Sequence, residues 1–171
     1  VVYEVVPKTK DVLSEETAYV TLSLMKGVTE SGSGQRLRHS GAEENNYAYK
    51  TIVTGYPYQF TNPIAGKTGT TQNQSDGWFM GIVPNLVTGV WVGGEDRSIH
   101  FEDIAFGQGA SMALPIWALY MKDVYENQNL GISKDDFEVP EIVTIPIDCE
   151  KFDSNKYKLI GTDEDLEDLG F

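Results

Sequence analysis

The run Gly66-Lys67-Thr68-Gly69-Thr70-Thr71 concentrates residue types that do chemistry. Lys67 supplies a compact ammonium that can hold a carboxylate or depress the pKa of a neighbouring hydroxyl. Thr68 and Thr70 carry branched Cβ atoms that suit a pleated strand. On a strand, Lys67 and Gly69 point to one face and Thr68 and Thr70 to the other. Gly69 has no side chain, and a glycine inside a strand often marks a close approach by a ligand or another backbone. An extended ligand along that strand edge would meet backbone N–H and C=O groups, the β-augmentation mode of peptide recognition. The competing reading is a surface strand with a solvated lysine, because a short motif alone is a weak signal.

The elements that must position this run form a coarse pattern. Val1 to Val6 reads as a short strand closed by Pro7. Ser14 is placed to cap a helix, with Glu15 and Glu16 at the positive end of its dipole. Ala18, Leu22 and Met25 make one apolar stripe and Val20, Leu24 and Val28 a second, which predicts a largely buried helix. It is expected to end in Gly27 to Gly34, with Ser31-Gly32-Ser33-Gly34 as a loop. That loop lacks a following P-loop lysine and any GxGxxG spacing, so it is not read as a phosphate cradle. His39 to Asn62 reads as a long polar loop or a loose hairpin. Gly77 to Val92 reads as a hairpin turning at Pro84-Asn85, with Trp78 and Trp91 as large packing groups. A helix is expected from about Pro115, taken as a first-turn residue, to near Tyr125, with Ile116, Leu119, Tyr120 and Val124 on its apolar face. After Asn129-Leu130-Gly131 the chain turns irregular around Ile142-Val143-Thr144-Ile145. Order and type predict an α+β layout, an antiparallel sheet with packed helices.

Composition narrows the function classes. At 171 residues the chain is one domain or part of one. The formal net charge is -13 and the pI near 4.4. Asp163, Glu164, Asp165, Glu167 and Asp168 crowd the C-terminus as an acidic, flexible tail. The acidity argues against nucleic acid, which needs a basic stripe to neutralise phosphates. Gln35-Arg36-Leu37-Arg38-His39 is too short to change that. The lone Cys149 excludes an intrachain disulfide and reads as a small hydrophobe. No apolar run is long enough to span a bilayer. A start at Val1 rather than Met suggests a processed or excised piece. His39 and His100 are too few and isolated for a metal site, and His100-Phe101-Glu102 lacks the cysteine pair of a zinc deaminase. Asp148 and Glu150 flank Cys149, but nothing positions them as an acid–base pair. No cofactor is implied.

Several runs in order carry a family resemblance. They are Val12-Leu13-Ser14-Glu15-Glu16-Thr17-Ala18-Tyr19, Gly27-Val28 with Gly32-Ser33-Gly34, the Gly66–Thr71 strand, and Asp76-Gly77-Trp78-Phe79 with Gly81 and Pro84. Gly89-Val90-Trp91-Val92-Gly93 and Ala113-Leu114-Pro115-Ile116-Trp117 follow. The chain resembles the C-terminal half of the transpeptidase domain of a class A, bifunctional penicillin-binding protein of the 1A-like group, in which K-T-G follows S-x-x-K and an S-x-N loop. The resemblance covers residues 1–150, leaving 151–171 as the tail, and implies a partial serine β-lactamase/penicillin-binding-protein fold. His39 to Asn62 and the tail depart from the family pattern.

That resemblance implies serine acyl transfer on a D-Ala-D-Ala stem peptide, with β-lactams as mimics that stall at the acyl-enzyme. Lys67 would keep the site electropositive and assist proton movement. The hydroxyls of Thr68 and Thr70 would hold the substrate carboxylate, and the Thr70 amide would be one oxyanion donor. Gly69 and Thr71 complete the implied substrate-binding strand. No S-x-N occurs in the chain. Ser23-Leu24-Met25-Lys26 spells S-x-x-K, and i, i+3 neighbours meet on a helix. Its flanks nevertheless resemble the later helix that precedes the K-T-G strand, so Tyr19, Ser23 and Lys26 read as a polar stripe. The chain is therefore expected to lack its nucleophile and to be inactive alone. Its implied partners are stem peptides, β-lactams and the upstream half of the domain, at the extracytoplasmic face of the membrane and anchored by an N-terminal segment. Two alternatives stand beside this reading: a non-catalytic module that binds peptide or protein along the same edge, and a serine β-lactamase or D,D-carboxypeptidase relative.

Overall fold

A computed structural model describes residues 10–38 and 58–147. The expected Val1–Val6 strand, most of the His39–Asn62 loop, Cys149 with its acidic neighbours and the tail lie outside the described residues. Helix α1 spans Glu15–Glu30 and is capped by Ser14, whose Oγ accepts the Thr17 amide at 3.1 Å. The helix ends at Glu30 with Ser31 as its C-cap, inside the Gly27–Gly34 stretch where the sequence placed its end. Thr29 anchors its last turn: it is fully buried, and its hydroxyl donates to the Ile64 carbonyl at 2.6 Å. That tertiary bond, worth about 1 kcal/mol, offsets the cost of a helical glycine, roughly 1 kcal/mol relative to alanine. The Gly27 carbonyl then accepts the amides of Ser31 and Gly32, closing the helix.

Strands β1 (Ala65–Thr70), β2 (Asp76–Val83) and β3 (Leu86–Gly93) form an antiparallel sheet in that order. The β2–β3 hairpin turns at Pro84-Asn85 as expected, with Val83 opposite Leu86. Proline cannot reach positive φ, so the primed turns usual for two-residue hairpins are closed to it. Asn85 ties the turn down instead, donating to the Gly131 carbonyl and accepting the Ser133 amide, each at 2.9 Å.

Alternation assigns the two sheet faces. Gly66, Thr68 and Thr70 share the inner face with Gly77, Phe79, Gly81 and Val83. Lys67 and Gly69 share the outer face with Met80 and Trp78. Helix α1 lies over β1. After a short helix α2 (Ile104–Gly107), helix α3 (Gly109–Glu126) packs on the inner face across all three strands. Phe79 and Trp117 sit at the centre, fully buried and edge-to-face at 5.1 Å.

Three expectations need correcting. Helix α3 begins six residues before Pro115, which lies inside it. Its buried face is Ala110, Ala113, Leu114, Trp117, Ala118, Met121 and Val124, whereas Ile116, Leu119 and Tyr120 are exposed. Small residues made this face hard to read: a Cβ on Gly81 would lie 2.2 Å from the Trp117 ring, so helix and sheet meet where side chains are missing. Helix α1 is not largely buried either; Thr29 is its one buried residue and Leu24 is 69% exposed. Trp78 and Trp91 form a cross-strand pair on the outer face, about half exposed, with ring centroids 6.5 Å apart.

Past α3 the chain doubles back along α1. Asp136 pairs with Lys26 at 2.7 Å, Phe137 is buried, and the Glu16 carboxylate accepts from the Thr144 amide, the Thr144 hydroxyl and the Ile145 amide. The Ile142–Ile145 stretch has no regular structure, as expected, and this strap is its role. No helix among the described residues is long and apolar enough to cross a membrane.

Candidate functional site

Strand β1 pairs with β2 on one side, and no described strand pairs with its other edge. Its entry is fixed by Arg38, whose guanidinium donates to the carbonyls of Phe60 (3.0 Å), Asn62 (2.6 Å) and Thr29 (3.4 Å) and to the Thr29 hydroxyl (3.0 Å). Burial pushes that guanidinium's pKa down, and the nearby Glu30 opposes the shift. Its exit is fixed by Thr71, whose amide donates to the Asp76 carbonyl at 3.1 Å. The Thr71 hydroxyl accepts the Asp76 amide at 3.0 Å and lies 3.0 Å from the Ser75 hydroxyl. Thr71, expected from the motif to bind substrate, also closes the β1–β2 turn.

The Thr71 amide also sets the direction of the other backbone groups. It points to β2, and successive residues of an antiparallel strand turn their N–H and C=O to opposite sides. Gly69 and Lys67 therefore face β2, while Thr70 and Thr68 turn their backbone groups to the opposite edge, which no described strand pairs. The ammonium of Lys67 is exposed and donates to the Thr68 carbonyl at 2.7 Å, on that same edge. Among the described residues Lys67 makes no ion pair, the one such pair being Lys26–Asp136.

The two threonine hydroxyls have different partners. Thr70 Oγ1 accepts the Gly109 amide at 3.0 Å, meeting one of the unpaired N–H groups at the start of α3. Gly109 has to be glycine for this: a Cβ there would lie 2.3 Å from the Gly69 carbonyl oxygen and 2.5 Å from that of Trp78. Because Thr70 accepts, its own proton is left to donate. Thr68 Oγ1 lies 2.6 Å from Ser33 Oγ in the loop after α1. Gly69 meets only the Trp78 Cβ, at 3.3 Å from where its own Cβ would stand. An ammonium, two hydroxyls and edge-facing amides on one strand can receive a carboxylate and a developing oxyanion.

The S-x-x-K tetrad does not form a comparable centre. The Ser23 hydroxyl donates back to the Tyr19 carbonyl at 2.9 Å, and Lys26 is held by Asp136. His100 is exposed on its loop beside the Phe101 carbonyl. Among the described residues no group of three or more His, Cys, Asp or Glu is placed to hold a metal. Sequence reasoning missed Ser33, Gly109, Arg36 and Arg38. Arg36 donates to the Ser111 hydroxyl at 2.7 Å, which joins the loop after α1 to the start of α3. Read as a weak basic cluster, both arginines act as internal hydrogen-bond donors, which only the tertiary fold reveals.

No protein-family model matches the chain. Among curated proteins it is 32% identical over 143 residues to penicillin-binding protein 1A of Aquifex aeolicus, covering 82% of this chain and 16% of that protein. It is 31% identical over 138 residues to penicillin-binding protein 1A of Pseudomonas aeruginosa, covering 80% of the chain and 14% of the relative. Penicillin-binding protein 2D of Bacillus subtilis matches at 34% over 130 residues, 75% of the chain and 16% of the relative. The chain thus spans about a sixth of the length of these relatives. With the three-stranded sheet and its helices, these matches define a partial penicillin-binding-protein transpeptidase fold. Within that class the chain is a 1A-like sequence, similar over four-fifths of its length to the 1A proteins.

Proposed function

We propose that this chain is the substrate-facing wall of a serine D,D-transpeptidase that cross-links peptidoglycan stem peptides. The edge of β1 turned away from β2 carries the proposal, because it gathers the Lys67 ammonium and the Thr68 and Thr70 hydroxyls at edge-facing amides. In the reaction an upstream serine attacks the penultimate D-Ala carbonyl, and the terminal D-Ala leaves as the amine. A second stem peptide's amine then displaces the serine, which recovers its proton. Lys67 keeps the centre electropositive and assists proton movement, Thr68 and Thr70 hold the substrate carboxylate, and the Thr70 amide stabilises the oxyanion. Gly69 lets the ligand lie close, and Thr71 holds the strand's exit.

The serine belongs to a segment upstream of Val1, so the chain is inactive alone, and residues 1–150 complete that segment's domain. The domain works at the extracytoplasmic face of the membrane, anchored through its N-terminal part, and β-lactams acylate it. The test is acylation by benzylpenicillin in a form extended upstream. Lys67→Ala in that form should slow acylation by roughly 10²–10⁴, the range for a group that moves protons. Unchanged acylation would remove Lys67 from the mechanism. Absence of S-x-x-K and S-x-N upstream would favour the non-catalytic module.

A further inference from the structure

The loop after α1 brings one more hydroxyl to this strand, and its construction is specific. Gly32 and Gly34 are packed so closely on the helix end that a Cβ on Gly32 would lie 2.9 Å from the Val28 Cα, and one on Gly34 3.2 Å from the Val28 carbonyl oxygen. Their amides donate to the carbonyls of Gly27 and Val28, at 3.0 and 2.8 Å. Ser33 is thereby held between two fixed points. Its hydroxyl lies 2.6 Å from that of Thr68, within the normal range for O–H···O. Ser33 is exposed, and no other side-chain hydrogen bond of Ser33 occurs among the described residues.

Two hydroxyls in contact share one hydrogen bond and keep one proton to donate elsewhere, whichever way the pair is oriented. An anion beside Thr68 selects one orientation: Ser33 donates to Thr68, and Thr68 donates to the anion. Aligned hydrogen bonds of this kind polarise and strengthen one another. We propose that Ser33 is a positioning residue that orients the Thr68 hydroxyl as a donor to the carboxylate of the bound substrate or β-lactam. This rests on the substrate-wall reading above and adds a residue to it.

The test uses the upstream-extended protein and two probes, benzylpenicillin and its methyl ester, which lacks the carboxylate. Ser33→Ala should lower acylation efficiency for benzylpenicillin by roughly threefold to tenfold, the worth of one neutral hydrogen bond. The loss should appear in apparent affinity, with the limiting acylation rate unchanged. The ester should be insensitive, Ser33→Thr should restore the hydroxyl and the efficiency, and Ser31→Ala should behave as the unsubstituted protein. Equal losses for acid and ester would mark Ser33 as merely structural and overturn the proposal, as would a Ser33→Ala variant indistinguishable from the unsubstituted protein. If the unsubstituted protein itself is not acylated, the substrate-wall reading falls and Ser33's role with it. Acylation that ignores Ser33 leaves that reading standing and removes only this residue.

Discussion

Thr68 and Thr70 sit two residues apart on one strand, yet one is backed by a serine and the other by a helix amide. The sequence made both candidates from type and spacing alone. Neither Ser33 nor Gly109 could be found that way, because each acts through a contact 35 or more residues distant. The glycines carry the same lesson. Gly66 and Gly69 stood out through their motif, whereas Gly81 matters because Trp117 fills the space above it. Gly81→Ala forces the central ring to move and should destabilise the fold by about 1–3 kcal/mol, the usual cost of overpacking. Urea unfolding of the two proteins measures this, and an unchanged midpoint would mean that the Phe79–Trp117 core yields without cost.

Among the elements, those with a local signature were legible. The Ser14 cap, its acidic first turn and the Pro84-Asn85 hairpin are where residue chemistry placed them. The start and face of α3 were not, since Pro115 looks like a first-turn residue and the buried stripe is rich in alanine. The strap over α1 was also hidden, being irregular chain held by charge. The Thr144 hydroxyl, then the Thr144 and Ile145 amides, hold the Glu16 carboxyl below the usual carboxylate range. The hydrogen bond from Lys26 does the same for Asp136. Because both folded values are depressed, the attachment is at full strength above the ordinary range of about pH 4, and is lost as pH falls through the lowered values. Amide exchange at Thr144 and Ile145 should therefore be slower in the unsubstituted protein than in Glu16→Ala at about pH 6, with the difference shrinking only as pH falls below the ordinary carboxylate range. A difference independent of pH would mean that the carboxylate charge does not hold the strap.

At the scale of the whole molecule, the two faces of the sheet are unequal. The inner face is covered by α1 and α3, while the outer face leaves Trp78, Met80, Val87 and Trp91 exposed beside Lys67. Clustered exposed apolar side chains of this kind favour association. The composition gave no sign of it, because alternation along β2 and β3 shows that two faces differ and not which one a helix takes. The chain on its own is expected to self-associate through this face, and Val87→Lys with Trp91→Lys should shift sedimentation towards monomer. A monomeric parent chain at high concentration would contradict that.

In the proposed transpeptidase, the strand that receives the substrate and the serine that attacks it belong to different segments. Intact mass after incubation with benzylpenicillin separates the two, on this chain and on a form extended upstream through S-x-x-K and S-x-N. No adduct is expected on the chain, and a single acyl adduct on the extended form. An adduct on the chain alone, above all at Ser23, or none on the extended form, would contradict that division.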